Sequence, residues 1–374
     1  MEIKAAVLTE RGLAQPYDKS KPLQIRSLQL DPPGRDEVLI EIKAAGLCHS
    51  DLSVMNADRP RQLPMVLGHE AAGVVVETGK DVTAFQKGDT VVCAFIPSCG
   101  DCLPCAEGRP ALCENGAEAN NEGVLLGGKK RLHDGDDIIY HHLGVSAFAN
   151  YTVANQHSLV KVDDTVPYEI LALFGCAVLT GVGAVVNTAN IKMASSVAVI
   201  GLGGVGMSAL LGAVAAGARD IIAVDINEDK LTLAKELGAT HTFNSTDPNI
   251  VDVIKSATNG GVEYVFETAG AVAALEVAYA ITRRGGETVT TGLPHPEHKI
   301  SLSQVTIAAE ERTIKGSYVG SCVPIRDIPR FISLYQQGRL PVDRLLSKVI
   351  SLDEINEGFD ELANGKVNRI VLKM

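Results

Sequence analysis

Four cysteines, Cys99, Cys102, Cys105 and Cys113, fall within fifteen consecutive residues. Two, two and seven residues separate them, and the same stretch carries Gly100, Pro104 and Gly108, so four thiolates can close around one ion. Soft thiolates in a tetrahedron select zinc, and four protein ligands leave no position for water, which makes such a site structural. An iron–sulfur cluster is the competing reading of the same sulfurs. The lobe that bears them is placed at 95–115. The N-terminal residues read as a strand rather than a secretory leader, so the expected setting is a reducing cytoplasm. There, clustered cysteine means metal rather than disulfide.

A second group of metal-ligand residue types is dispersed: Cys48, His69, Glu70 and Cys176. Spacing alone carries little here. His69-Glu70 does not begin a zincin helix, because the chain continues Ala71-Ala72-Gly73 with no second histidine in reach. A lone histidine beside a glutamate is more often structural than a ligand. Cys93 and Cys322 read as small buried apolar groups without chemistry.

Gly201-Leu202-Gly203-Gly204-Val205-Gly206 matches a dinucleotide fingerprint, after an apolar strand and at the start of a helix. The first glycine permits a tight turn, the second lets the backbone approach a pyrophosphate, and the third allows close helix–strand packing. The helix N-terminus adds N–H donors and partial positive charge. Asp225 follows 24 residues after Gly201, at the end of the next strand. A carboxylate there accepts hydrogen bonds from ribose hydroxyls and repels a 2′-phosphate, which favours NAD over NADP. The bland readings are a glycine turn of another α/β protein and a solvated Asp225.

These motifs need elements to hold them. Up to about Val178 the chain reads as an irregular β domain, with strands at 5–8, 37–44, 73–77 and 90–94 between Gly/Pro turns. The polar, glycine-rich stretch 115–142 reads as a long surface insertion or lobe. From about Leu179 strands alternate with helices: strands at 196–200, 221–224, 262–266 and 287–291, helices at 203–216, 228–237 and 272–281. That alternation implies a doubly wound parallel sheet, and the chain as a whole is α/β. A helix at 328–337 and a strand at 369–373 close the chain.

The 374 residues suit two domains. A formal net charge of −11 argues against nucleic acid, which requires clustered Lys and Arg. Two uncharged stretches, 170–191 and 194–218, are long enough to span a bilayer. Both are rich in Gly, Ala and Ser, and buried soluble segments look the same, so no membrane association is expected.

Taken together the motifs resemble the medium-chain zinc alcohol dehydrogenases. Gly46-Leu47-Cys48-His49-Ser50-Asp51 resembles their first ligand motif. Gly68-His69-Glu70-Ala71-Ala72-Gly73, with Gly79 and Val82, is similar to their zinc signature. The four-cysteine lobe, Gly175-Cys176 and the glycine fingerprint come in family order, and the resemblance covers essentially the whole chain. It implies a GroES-like catalytic domain at 1–178, completed by 319–374, and a Rossmann NAD-binding domain at 179–318. It implies two zinc ions per chain and NAD. Cys48, His69 and Cys176 would hold the catalytic zinc, with Glu70 behind it as an occasional ligand. Asp51 would fix the His69 tautomer, and Ser50 would take the alcohol proton. His49 and Arg369 would contact the cofactor pyrophosphate, and Lys230 the adenosine ribose. Thr180 and Gly292-Leu293-Pro294 would lie along the nicotinamide, and Phe95 would line the substrate pocket. The expected reaction converts a primary or secondary alcohol, aromatic ones included, to an aldehyde or ketone. A thiol adduct of formaldehyde or a polyol is the alternative substrate, and a non-catalytic NAD-binding oligomer the remote one. A homodimer is expected, with a tetramer as the other option. One departure stands out: Ser53 occupies the position where many members place a proton-relaying histidine.

Overall fold

The computed structural model describes residues 1–365 and 367–374. The chain divides into two compact units. The first comprises Met1–Cys176, Val323–Gln336 and Leu346–Met374; the second comprises Ala177–Cys322 and Gln337–Leu345.

The first unit is built on strand Glu37–Gly46, which is buried along nearly its whole length. It pairs antiparallel with Glu70–Thr78, Tyr151–Asn155 and Arg369–Lys373. A strand buried on both faces carries apolar residues at consecutive positions, and Val38-Leu39-Ile40 does so here. The register places Gly46 opposite both Glu70 and Val371. Three stretches far apart in sequence therefore meet at one end of this sheet. Five shorter strands, Glu2–Leu8, Leu23–Leu30, Met65–Val66, Leu132–Asp134 and Asp137–His141, close a barrel around Ile3, Val7, Leu28, Val66, Leu132 and Ile139.

That barrel corrects the expectation for 115–142. The stretch is not a surface insertion: it holds helix Glu114–Glu122 and two barrel strands, and it buries His141 and His142. Strands of three and five residues are too short to show a period-two pattern, and the charges of Lys129-Lys130-Arg131 and Asp134–Asp137 mask the buried Leu132 and Ile139.

The second unit holds a six-stranded parallel sheet: β1 (Ser196–Ile200), β2 (Asp220–Asp225), β3 (His241–Asn244), β4 (Val262–Glu267), β5 (Thr282–Thr290) and β6 (Thr313–Gly316). Its order is β3-β2-β1-β4-β5-β6, so the direction of winding reverses between β1 and β4. This is the doubly wound arrangement expected. Every residue of β1 is buried, and helix Gly204–Ala215 after it buries most of its length. Ile200, Ile222, Val224, Val265 and Ile281 form the core of one face. Each such side chain contributes about 1.5–3 kcal/mol on burial.

The uncharged stretch 194–218 is thus a buried strand and a core helix. Residues 170–191 are broken into short helical pieces. Among the described residues no single helix is long and apolar enough to cross a membrane. The pair Tyr168–Gly175 and Ala177–Ala189 passes on length and composition alone.

Candidate metal centre and cofactor site

The register at Gly46 builds the dispersed site. Cys48 lies two residues beyond Gly46, at the position just before helix His49–Met55. His69 directly precedes strand Glu70–Thr78. The turn Ala172–Gly175 packs on this sheet, where a Cβ on Gly175 would stand 2.5 Å from the Cys93 carbonyl oxygen; only glycine lets the chain come this close and deliver Cys176. The ligand atoms of Cys48, His69 and Cys176 all lie within 4.8 Å of one another. Their two sulfurs are 4.0 Å apart, too far for a disulfide. Two sulfurs each about 2.3 Å from one tetrahedral ion would stand about 3.8 Å apart, so the pair fits a shared metal.

The pocket is electronically prepared for a cation. Cys176 shares a proton with Cys48, and this hydrogen bond holds the Cys48 thiol well below its usual range despite burial. Burial opposes charge on His69, but Asp51 and Cys48 outweigh it and favour a positive centre at this imidazole. A divalent cation meets the same demand. His69 is fully buried, its Nδ1 lies 3.2 Å from Asp51 Oδ1, and its Nε2 has no hydrogen-bond partner among the described residues. An imidazole that donates from Nδ1 keeps its Nε2 lone pair for a metal.

Asp51 is the hub behind His69. It is fully buried, accepts the Gly68 N–H at 2.9 Å, and lies 3.1 Å from Nδ1 of a second histidine, His142. Burial disfavours its charge, but His69 and His142 outweigh that and bring its carboxyl down to about 2. Sequence reasoning missed His142, because it fell in the stretch read as surface. A doubled His-His in an otherwise polar run was the available signal.

The loop cysteines form a second, different site. Their four sulfurs also lie within 4.8 Å of one another, and Cys102 and Cys113 are 3.8 Å apart. This spacing fits one ion rather than a multi-iron cluster, whose bridging sulfides hold the thiolates wider. Backbone N–H groups of Cys99 and Gly116 donate to Cys113 Sγ at 3.2 and 3.3 Å. The N–H groups of Cys105 and Glu114 pull the Cys102 thiol down to about 7.

Comparison with known proteins agrees with this geometry. Residues 34–164 match the model of the alcohol dehydrogenase GroES-like domain, and residues 204–337 that of the zinc-binding dehydrogenases. An NDMA-dependent alcohol dehydrogenase from Amycolatopsis methanolica is 40% identical over 375 aligned positions, covering 100% of this chain and 99% of that protein. The chain belongs to the zinc-dependent medium-chain alcohol dehydrogenases. Two solved structures are similar over 100% of this chain and 99% of theirs. One is an alcohol dehydrogenase zinc-binding domain protein from Burkholderia ambifaria, with a TM-score of 0.94 and 36% identity. The other is a benzyl alcohol dehydrogenase from Acinetobacter calcoaceticus, with a TM-score of 0.93 and 35% identity.

Around the dehydrogenase's metal set, Phe95 lies edge-on to His69 with ring centroids 5.0 Å apart. Glu70 is buried, and a Cβ on Gly46 would reach 2.6 Å from its carboxylate. Arg369 is buried too: it donates to the Leu47 carbonyl at 3.1 Å and stands 3.8 Å from Glu70. Its guanidinium thus turns toward the metal set. Ser50 sits half-buried in the first turn of helix His49–Met55. Ser53 donates its hydroxyl to the His49 carbonyl at 2.8 Å, so it is engaged within its own helix.

In the second unit the fingerprint adopts the expected turn. Gly201 has φ +88°, where other residues are strained, and a Cβ there would stand 2.8 Å from Ala269. A Cβ on Gly203 would meet nothing within 4 Å, so this backbone is open to a ligand. Asp225 accepts the Leu202 N–H at 2.6 Å and the Asn227 N–H at 2.9 Å. It therefore shapes the glycine turn. Lys230 lies half-buried in helix Glu228–Glu236, and Thr180 half-buried in helix Ala177–Gly183. Gly292 and Pro294 are half-buried beyond β5, with Leu293 exposed between them.

Proposed function

We propose that the chain is an NAD-linked alcohol dehydrogenase with two zinc sites. Cys48, His69 and Cys176 hold the catalytic ion, with Glu70 in reserve, and Cys99, Cys102, Cys105 and Cys113 hold the structural one. The observation that carries this reading is the convergence of two thiols and one imidazole in a buried pocket, with the imidazole oriented by Asp51. Three protein ligands leave one position open, which separates a catalytic zinc from a structural one. Zinc held there supplies Lewis-acid stabilisation of the developing alkoxide, and NAD supplies the hydride acceptor. The protein's own residues do the rest. Ser50 accepts the alcohol proton. Asp51 keeps His69 in one tautomer. Arg369 offsets the charge of Glu70 and the thiolates, and with His49 it neutralises pyrophosphate. Asp225 and Lys230 take the adenosine ribose, while Thr180 and Gly292-Leu293-Pro294 border the nicotinamide. With Ser53 tied to its own helix, the proton leaves Ser50 by water or a ribose hydroxyl.

The domain limits proposed are 1–178 completed by 319–374 and 179–318, with 337–345 reassigned to the second unit it packs with; the assembly proposed is a homodimer, with a tetramer as the other option, in the cytoplasm. For substrate we favour an aromatic primary alcohol, because the ring of Phe95 borders the metal set and the Acinetobacter relative is a benzyl alcohol dehydrogenase. Elemental analysis should give two zinc ions per chain. Initial rates on benzylic, aliphatic and polyol substrates, and on formaldehyde with thiols, should rank benzylic alcohols first. The Amycolatopsis relative's NDMA dependence makes the cofactor the point to test, with NAD, NADP and added NDMA as separate arms. Two zinc ions with no turnover on any arm would favour the non-catalytic reading instead.

A further inference from the structure

One buried carboxylate of the second unit has no part in the chemistry proposed for the metal and the cofactor. Glu267 ends β4, is 1% exposed, and sits where the winding of the sheet reverses. In doubly wound sheets a dinucleotide lies across this reversal, outside the carboxyl ends of the strands. Glu267 is in register with Ile200, the last residue of β1, and with Thr290, the last of β5.

Its contacts all join loops at this end. Oε1 accepts the Gly270 N–H at 2.6 Å, and Oε2 accepts the Thr290 hydroxyl at 2.7 Å. Its backbone carbonyl accepts the Thr291 N–H at 2.9 Å and the Thr291 hydroxyl at 3.2 Å. A Cβ on Gly292 would stand 2.7 Å from Oε2, so the segment after β5 lies directly on the carboxylate. The neighbouring Thr268 hydroxyl donates to the carbonyls of Ile200 and Gly201 at 3.1 and 2.5 Å, which fastens the same loop to the glycine turn. A buried carboxylate is tolerated only when its oxygens are satisfied, and these donors satisfy it.

We propose that Glu267 is a positioning residue for the nicotinamide half of the cofactor site. It clips the turn 268–270 to the segment 290–292, and so fixes the floor on which the nicotinamide ribose and ring would rest. This rests on the reading of the second unit as a dinucleotide site. The adenosine half, built from the β1 turn and Asp225, makes no hydrogen bond to the Glu267 carboxylate and touches the clipped turn only through Thr268 and Ala269, so it should feel loss of the clip far less. Alanine at 267 leaves the Gly270 N–H and the Thr290 hydroxyl without an acceptor. Glutamine restores both contacts: its carbonyl accepts from Gly270 and its amide donates to the threonine oxygen.

The test is calorimetric titration of the zinc-loaded protein with NADH and with ADP-ribose, which lacks the nicotinamide. Glu267→Ala should weaken NADH by about tenfold and ADP-ribose by less than about twofold, since an unpaired buried donor costs on this scale. Glu267→Gln should restore NADH binding to within about threefold of wild type. Thr290→Val, which removes one donor and keeps the fold's shape, should show the same selective loss, smaller. Equal losses for both ligands, or no loss for NADH, would overturn the inference. If wild-type protein binds neither ligand, the cofactor reading falls and this inference with it. If wild type binds both and Glu267→Ala is unchanged, this inference falls alone.

Discussion

The two thiol sites of the first unit reach the same kind of geometry by opposite routes. The loop site draws four candidate ligands from one short stretch, three of them partly exposed. The dispersed site draws three from segments spanning Cys48 to Cys176, all buried. Around the loop sulfurs the support is backbone N–H groups of the loop itself. Around the buried set it is side chains: Asp51 and Glu70, close in sequence to Cys48 and His69, and His142 and Arg369 from elsewhere in the fold. A local site of this kind would be organised by its ion, whereas the dispersed one is organised by the sheet that positions its residues. The first should fail as stability and the second as activity.

The sharpest way to break that contrast is Cys176→Ala. It should lower turnover by about 10³-fold or more, in keeping with loss of metal activation, and remove one of two zinc ions without a large change in melting. Unchanged zinc content and turnover would discard the ligand set. Cys105→Ala should behave in reverse, with about 3–5 kcal/mol lost in urea unfolding and the dispersed zinc retained, because zinc binding energy at such a site is folding energy. Full stability in this variant would put the two sites on the same footing.

Acid titration separates fold from loop more gently. Burial pushes His141 down to about 3 in the folded chain, against about 6.5 when unfolded. The stability it contributes is full above pH ~6.5 and is lost as pH falls toward 3, at up to about 1.4 kcal/mol per pH unit. Between pH 6.5 and 5 the wild type should therefore lose about 1.6 kcal/mol in urea unfolding from this group. His141→Gln should lose less over the same range, and an identical decline would clear His141 of the effect.

Asp51→Asn should weaken the dispersed zinc by about 10–100-fold in a chelator competition, the usual range for a group that orients a metal-binding histidine. The loop zinc should not respond. His142→Phe should act in the same direction by only a few-fold, because Asp51 keeps the Gly68 and His69 contacts.

The same contrast explains what could be read from the chain alone. The loop site was legible because four cysteines at close spacing point to one ion. The glycine turn and Asp225 were legible because strand, turn and helix are contiguous. The buried set was not legible from spacing: Cys48, His69 and Cys176 meet only through the antiparallel register at Gly46 and the turn before Cys176, and only family resemblance supplied them. His142 and Glu267 escaped altogether. Each is an ordinary polar residue in sequence, and its meaning comes from partners that the fold alone brings near. Strand β3 was missed as well, since His241-Thr242-Phe243-Asn244 is a polar, half-exposed edge without apolar alternation.

Asp225 has a further consequence, for lineages and for engineers. Both of its oxygens already serve the backbone, one at Leu202 and one at Asn227. In the proposed cofactor site, replacing it to admit a 2′-phosphate would also release the turn placed to cradle the diphosphate. On that reading, nucleotide preference and loop architecture would be inherited through one side chain. A switch of preference should proceed through a poorly binding intermediate unless a compensating change at the turn comes first.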